Sequence, residues 1–248
     1  MIQAGLKSFM SQNWEDLLLL HWPVCPEGMR ATIPSDLILD LHEGEAWASV
    51  VGFRLTNLRI SPFRFLSWND FLEVNLRTYV RDKSGRKGVW FHSLDSSDLP
   101  AVFGARALYG LSYFFSKVTL DWEGREIHYR SRRKPLQGGH TAHLQAPVHR
   151  GGDEGQPADS SLDRFLLERY RFWARRTLCD ESSSAVVAHR PYDAFRVEGA
   201  RYRGSLFKAW GMSEPASAPA VAHFCKGFPV SAYAPSWSFS MLGQANQR

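Results

Sequence analysis

Cysteine is scarce in this chain. The three present in 248 residues, Cys25, Cys179 and Cys225, lie far apart and form no C-x-x-C pair. That spacing argues against a disulfide framework and against a zinc ribbon, and it fits a reducing, cytoplasmic setting. Long apolar runs are also missing. Leu17-Leu18-Leu19-Leu20 has only four residues and follows Glu15 and Asp16, too short for a signal-peptide core or a membrane span, so a soluble chain with no membrane partner is expected. The glycine-rich segments at 138–139 and 151–155 are not followed by the strand-turn-helix context that phosphate binding demands, and no nucleotide cofactor is implied. His140 and His143 point to opposite faces of an expected strand, and His149, His189 and His223 add no ligand spacing. Neither a metal nor any other cofactor is therefore expected.

Apolar residues make up 44% of the chain, enough to bury a substantial core, and aromatics another informative 13%. The net charge of +5 raises the question of a polyanionic partner. Basic residues gather at Arg125 to Lys134 and at Arg164 to Arg176, but no nucleic-acid motif accompanies either cluster. Solvated or ion-paired arginines are the simpler reading, with no nucleic-acid partner.

The pattern around residues 68–117 organises the rest. From Phe71 to Val80 apolar and polar residues alternate, so an extended strand sets Leu72, Val74, Leu76 and Val80 on one face and Glu73, Asn75, Arg77 and Tyr79 on the other. The polar face either meets water or lines a polar cavity. Other strands are expected at Trp14 to Trp22, Val89 to Asp95, Tyr113 to Trp122, Ile127 to Arg132, Thr141 to His149, Ala185 to Pro191, Phe195 to Trp210 and Pro219 to Tyr233. Leu37 to Leu41 and Ala46 to Leu55 read as a hairpin about His42-Glu43-Gly44-Glu45. Short helices are expected from Pro26 and from Pro100 to Tyr109, and a longer one over Ser161 to Trp173, capped by Ser160 or Ser161. These elements predict an α+β, mainly antiparallel β domain over residues 14–240, between an N-terminal arm, 1–13, and a C-terminal tail, 241–248.

Several segments together carry a resemblance. Leu20-His21-Trp22-Pro23-Val24, Phe71 to Val80, Gly88 to Asp95, Gly104-Ala105-Arg106, Ser161 to Tyr170 and Tyr202-Arg203-Gly204 occur in the order found in the YqjF-like family of uncharacterised bacterial proteins. The chain resembles that family, which in turn looks related to acetoacetate decarboxylase. The resemblance implies a cone-shaped antiparallel β-barrel with surrounding sheet, a few helices and an interior pocket. It also implies that Glu73 matches a functional glutamate of the decarboxylases, and that Gly104-Ala105-Arg106 approximates their Gly-Arg-Glu motif. Tyr113 and Phe114 then fall where the decarboxylases carry a lysine pair, the first of which forms a Schiff base. Neither a phenol nor a phenyl ring can form that imine, so acetoacetate decarboxylation is not expected.

The expected site follows from both lines. Glu73 is the candidate acid or base, and Tyr113 is a hydrogen-bond donor at the position of the missing lysine. Asn75, Arg77, Arg106, His21, His92, Trp90 and Phe115 are candidate ligand-binding residues, and Trp47, Trp68 and Phe91 add aromatic wall for a small carbonyl-bearing or aromatic ligand. The plainer alternatives are a solvent-facing or purely structural Glu-Arg row, core histidines at 21 and 92, and a Lys117 that reaches solvent at a barrel rim instead of replacing the missing amine. At the level of function, the alternative to an enzyme is a noncatalytic ligand-binding or homo-oligomeric assembly protein.

Overall fold

The computed structural model describes residues 8–63, 65, 68–148, 155–175 and 182–233. Strand β1 (Met10–Val24) leads through the one-turn helix α1 (Pro26–Arg30) to β2 (Ile38–Leu39), β3 (Ala46–Ile60), β4 (Phe71–Arg81) and β5 (Lys87–Ser96). Helix α2 (Leu99–Tyr109) then connects to β6 (Tyr113–Glu123), β7 (Glu126–Arg133) and β8 (Thr141–Pro147). After β9 (Gln156–Pro157) and helix α3 (Ser161–Leu167) come β10 (Arg171–Arg175), β11 (Ser182–Ala188), β12 (Ala194–Arg196), β13 (Arg201–Gly204) and β14 (Val221–Ala232). No helix among the described residues is long and apolar enough to cross a membrane.

Hydrogen-bonded neighbours run β13-β8-β7-β6-β5-β10-β11-β14-β1-β3-β4-β2, and β4 also pairs with β5. Two apolar layers result. Leu17 and Leu19 of β1, Val51 and Phe53 of β3, and Phe172 of β10 belong to one cluster. Leu18 and Leu20, Val50, and Val74 and Leu76 of β4 belong to the other, against Ile127 and Tyr129 of β7 and Leu144 of β8. Strands β1 and β3 are thus apolar on both sides, which is why Leu17 to Leu20 form an unbroken buried run inside a strand. Close approach of the second layer needs Gly52: a Cβ there would stand 2.6 Å from Cγ of Tyr129. The Tyr129 hydroxyl continues past it to donate to the Asp16 carbonyl at 2.8 Å.

The helix ends follow local chemistry. The Asp98 carboxylate accepts from the Ala101 N–H at the start of α2, and Gly110 ends it in the left-handed region, φ 69°. Ser160 caps α3 through a reciprocal box with Asp163.

Four expectations are corrected. The segment at Leu37 to Leu41 does not form a hairpin with β3: β2 pairs with β4, because β3 already has β1 and β4 on its two edges. Only an isolated His42–Glu45 bridge survives at the expected turn. The helix expected to reach Trp173 ends at Leu167, and β10 follows, with Phe172 entering the first cluster and Trp173 packing with Trp90 in a separate one. Apolar spacing at 162, 165, 166 and 173 fits helix and strand alike, and pairing with β5 and β11 selects strand over the last part. The long strand expected over Phe195 to Trp210 is broken into β12, β13 and a 3-10 turn, with Gly199 at φ 72° between the strands. The first strand begins at Met10, inside the expected arm. Residues 1–7, the tail at 241–248, His149, Cys179 and the glycines at 151 and 152 lie outside the described residues.

Candidate functional site

Alternation along β4 sends Glu73, Asn75 and Arg77 into a cavity of about 230 Å³. Its walls are mostly apolar, among them Phe53 and Leu55 of β3, Phe91 of β5, Tyr109 of α2 and Phe172 of β10. Trp68 also lines it, with its indole Nε1 donating to Asp98 Oδ1 at 3.2 Å, so the loop after β3 is tied to the start of α2.

Glu73 is 2% exposed and its two oxygens have different donors. The Tyr113 hydroxyl donates to Oε2 at 2.6 Å and the Asn75 amide donates to Oε1 at 3.0 Å. Burial pushes the carboxyl up from 4.5 to about 7; the hydrogen bonds from Tyr113 and Asn75 pull the other way, nearby Asp95 adds to the rise, and Arg77 opposes it. Tyr113 itself is driven well above the ordinary phenol value by burial and by the charge of Glu73. At neutral pH the phenol is a fixed donor, and the carboxyl is the group that gains and loses a proton.

Arg77 is 7% exposed and has no carboxylate partner among the described residues. Among the described residues its guanidinium makes one long hydrogen bond, Nη2 to the Leu166 carbonyl at 3.4 Å, and lies 6.0 Å from the Tyr79 ring centre, while its Nε has no hydrogen-bond partner. Arg169, which also lines the cavity, is by contrast paired to Asp40 at 2.6 Å. Asn75 Oδ1 and the indole Nε1 of Trp14, another lining residue, are likewise buried without hydrogen-bond partners among the described residues. Unpaired buried donors and acceptors of this kind cost stability unless something else satisfies them.

Of the sequence-derived site residues, Glu73, Asn75, Arg77 and Tyr113 come together here, and Trp68 and Phe91 join the wall. Six others are placed elsewhere. His92 and Trp90 are turned away by a bulge between β4 and β5, where Leu76 faces Ser93 but Arg77 faces Phe91. A strict period of two from Leu94 would have brought His92 and Trp90 inward; the extra residue brings Phe91 and Val89 instead. The His92 Nε2 meets Thr32 Oγ1 at 2.8 Å, and Trp90 packs with Ile33, Leu37 and Trp173. Burial lowers His92 to about 3. Arg106 is exposed on α2 with its guanidinium 5.8 Å from the Phe114 ring centre. Phe115 lies under the ammonium of Lys134 at 5.5 Å. His21 points into the same interior as Leu17 and Leu19 but beyond the cavity, against Ser49 and His223. Trp47 belongs to the first apolar cluster, outside the lining.

The lining also includes groups that the sequence reading missed, notably Trp14, Phe53, Tyr109, Phe172 and Arg169. Phe53 carried a usable signal, since β3 alternates with the same period as β4 and Phe53 stands opposite Glu73 in register. Arg169 carried none, because it reads as one face of an unbroken helix.

Comparisons with known proteins agree with the fold. A family model described as an uncharacterised conserved protein, DUF2071, matches residues 11–229. The chain is 36% identical over 222 residues to the uncharacterised protein YqjF of Bacillus subtilis strain 168, covering 88% of this chain and 87% of that one. Among solved structures, it superposes on the acetoacetate decarboxylase of Legionella pneumophila with a TM-score of 0.60 at 13% identity, covering 94% of this chain and 90% of that one. An acetoacetate decarboxylase-like enzyme from Sphingomonas wittichii RW1 gives 0.59 at 15%, covering 93% of each chain. The enduracididine biosynthesis enzyme MppR, in complex with pyruvate, gives 0.60 at 10%, covering 94% and 92%. At those identities the likeness is one of fold: mostly strands, few helices, acetoacetate decarboxylase-like. The match over residues 11–229 and the relation to YqjF establish that this chain belongs to the DUF2071 family.

Proposed function

We propose that the protein binds a small organic anion in the interior cavity, with its charged group on Arg77, its apolar body against the aromatic wall, and a carbonyl or hydroxyl oxygen at Glu73 and Tyr113. The single observation that carries this reading is the buried Arg77 guanidinium, without a carboxylate partner among the described residues, on the same strand face as a carboxyl held near neutrality. A buried cation normally has a counter-charge; in a cavity of about 230 Å³ with aromatic walls, a ligand carboxylate is a fitting one. We read the path β5-β10-β11-β14-β1-β3-β4, returned to β5 by the β4–β5 pairing, as the cone-shaped barrel that holds the ligand.

Chemistry in this site is general acid or base catalysis by Glu73, whose pKa of about 7 suits proton transfer in either direction at neutral pH. Tyr113 donates to the carboxylate or to a ligand oxygen that replaces it. Schiff-base catalysis is no part of the reading: no lysine stands among the described lining residues, and Lys117 is exposed. We place the protein in the cytoplasm on the strength of its three dispersed cysteines.

A thermal-shift screen of small carboxylic acids and their neutral amides tests the binding. The acids should raise the melting temperature of the protein and lose that effect in Arg77→Met; amides that stabilise as well as acids would contradict the anion site. Product analysis with each stabilising acid, on wild type and Glu73→Gln, then separates turnover from binding alone. Turnover that survives unchanged in Glu73→Gln removes Glu73 as acid or base.

A further inference from the structure

Below the cavity, the same interior holds a run of polar groups that the proposed binding does not use. Asp163 Oδ1 of α3 lies 2.8 Å from His223 Nε2 of β14, and His223 Nδ1 lies 3.0 Å from His21 Nε2 of β1. His21 Nδ1 is 2.7 Å from Ser49 Oγ of β3, and Ser49 Oγ is 2.6 Å from the Tyr79 hydroxyl of β4. That hydroxyl is 3.1 Å from the Leu166 carbonyl, which is also the acceptor for Arg77 Nη2. Asp163, His223, His21, Ser49 and Tyr79 are all buried, at 1% exposure or less.

We propose that this chain is a proton-coupled positioning device for Arg77, in which one added proton reverses every downstream hydrogen bond and turns the Tyr79 hydroxyl from Ser49 to the Leu166 carbonyl. The direction follows from counting hydrogens. Arg196 and Ser160, together with His223, hydrogen-bond Asp163 and offset its burial, so that it titrates at about 2 and acts as an acceptor at any ordinary pH. His223 therefore carries its proton on Nε2. While both histidines are neutral, His223 Nδ1 accepts from His21 Nε2–H, and His21 Nδ1 accepts from the Ser49 hydroxyl. Ser49 has then spent its only hydrogen, so Tyr79 donates to Ser49, and Arg77 is the donor of the two that serves the Leu166 carbonyl.

A proton added to either ring protonates His21 Nδ1. His21 then donates to Ser49, Ser49 donates to Tyr79, and Tyr79 donates to the Leu166 carbonyl in competition with Arg77. The charged groups around the rings set the resting state. Arg77 of β4 and Arg196 of β12 oppose a second positive charge, Asp163 of α3 favours it, and Arg169, whose guanidinium lies 5.2 Å from the Tyr79 ring, is neutralised by Asp40. Burial holds both histidines below their ordinary value, which keeps the neutral arrangement at pH 7. Tyr79 is outside the cavity lining and Arg77 is within it, so Tyr79 acts as a positioning residue through the shared carbonyl.

Nitrogen-15 NMR of the ligand-free protein tests this independently of any ligand. At pH 7.5, His21 and His223 should both be neutral with the proton on Nε2; a proton on Nδ1 of His21 overturns the proposal. On acidification, the Arg77 guanidinium nitrogen signals should shift in step with the His21 titration. Tyr79→Phe retains the ring that packs on Phe165 and leaves Ser49 to serve His21, so the Nε2–H form of His21 should persist while the Arg77 shift disappears. An Arg77 shift that still follows His21 in Tyr79→Phe would overturn the positioning role.

Discussion

The Tyr113 hydroxyl donates to Glu73 Oε2 at 2.6 Å across the junction of β4 and β6, with the two residues 40 positions apart in sequence. The bond favours the ionised carboxyl, and burial opposes it. Removing the hydroxyl leaves burial less opposed. Tyr113→Phe should therefore raise the Glu73 midpoint above its value of about 7 by about 1–2 units, the range expected for one hydrogen bond to a charged group. Carbon-13 NMR of the glutamate carboxyls in wild type and variant measures the difference.

Glu73 also has a cost that depends on pH. Its folded pKa of about 7 lies above the ordinary 4.5, so the folded protein binds the additional proton between those values and loses stability as pH rises through them. Gln at this position has no charge to bury. Glu73→Gln should stabilise the protein more at pH 8 than at pH 5, by a margin on the order of 2 kcal/mol, read from urea unfolding at the two pH values.

The buried histidines act in the opposite sense. His21 and His223 are held below 6.5 and His92 is lowered to about 3, in each case first by burial. Below pH 6.5 the unfolded chain takes up protons that the folded chain refuses, so stability falls as pH drops, by at most about 1.4 kcal/mol per pH unit for each such group. Three histidines outweigh the one glutamate, and the urea midpoint should decline from pH 6.5 to pH 5. The decline should be steeper in Glu73→Gln, which lacks the opposing term.

Gly52 is a steric requirement of the two-layer packing. A Cβ at this position meets the Tyr129 ring at 2.6 Å, and that ring is held in place by its bond to the Asp16 carbonyl. Gly52→Ala should destabilise by about 1–3 kcal/mol, as overpacking does. Gly28, where an added Cβ would have nothing within 4 Å, is the control: Gly28→Ala should change the urea midpoint little.

Much of this arrangement was legible in the sequence because β4 obeys a strict period of two, so the row Glu73, Asn75, Arg77 and Tyr79 could be assigned to one face. The other side of that row was not legible. The β4–β5 bulge moves Phe91 inward and His92 outward, and a one-residue irregularity leaves no trace in the alternation of a strand buried on both faces. The short α3 was hidden for a related reason, since Phe172 and Trp173 continue a helical spacing while the tertiary pairing with Val89 and Trp90 makes them a strand. His21 was recognised as a candidate, but its partners Ser49, His223 and Asp163 come from distant segments that only the fold assembles.

The proposed chemistry depends most on Glu73 being a proton carrier near neutrality inside the cavity. Titration of its carboxyl carbon-13 signal in the wild-type, ligand-free protein tests this directly, with assignment by its absence in Glu73→Gln. A midpoint close to 7 is the predicted result; a midpoint near the ordinary 4.5 would show a carboxyl open to water and would contradict the site.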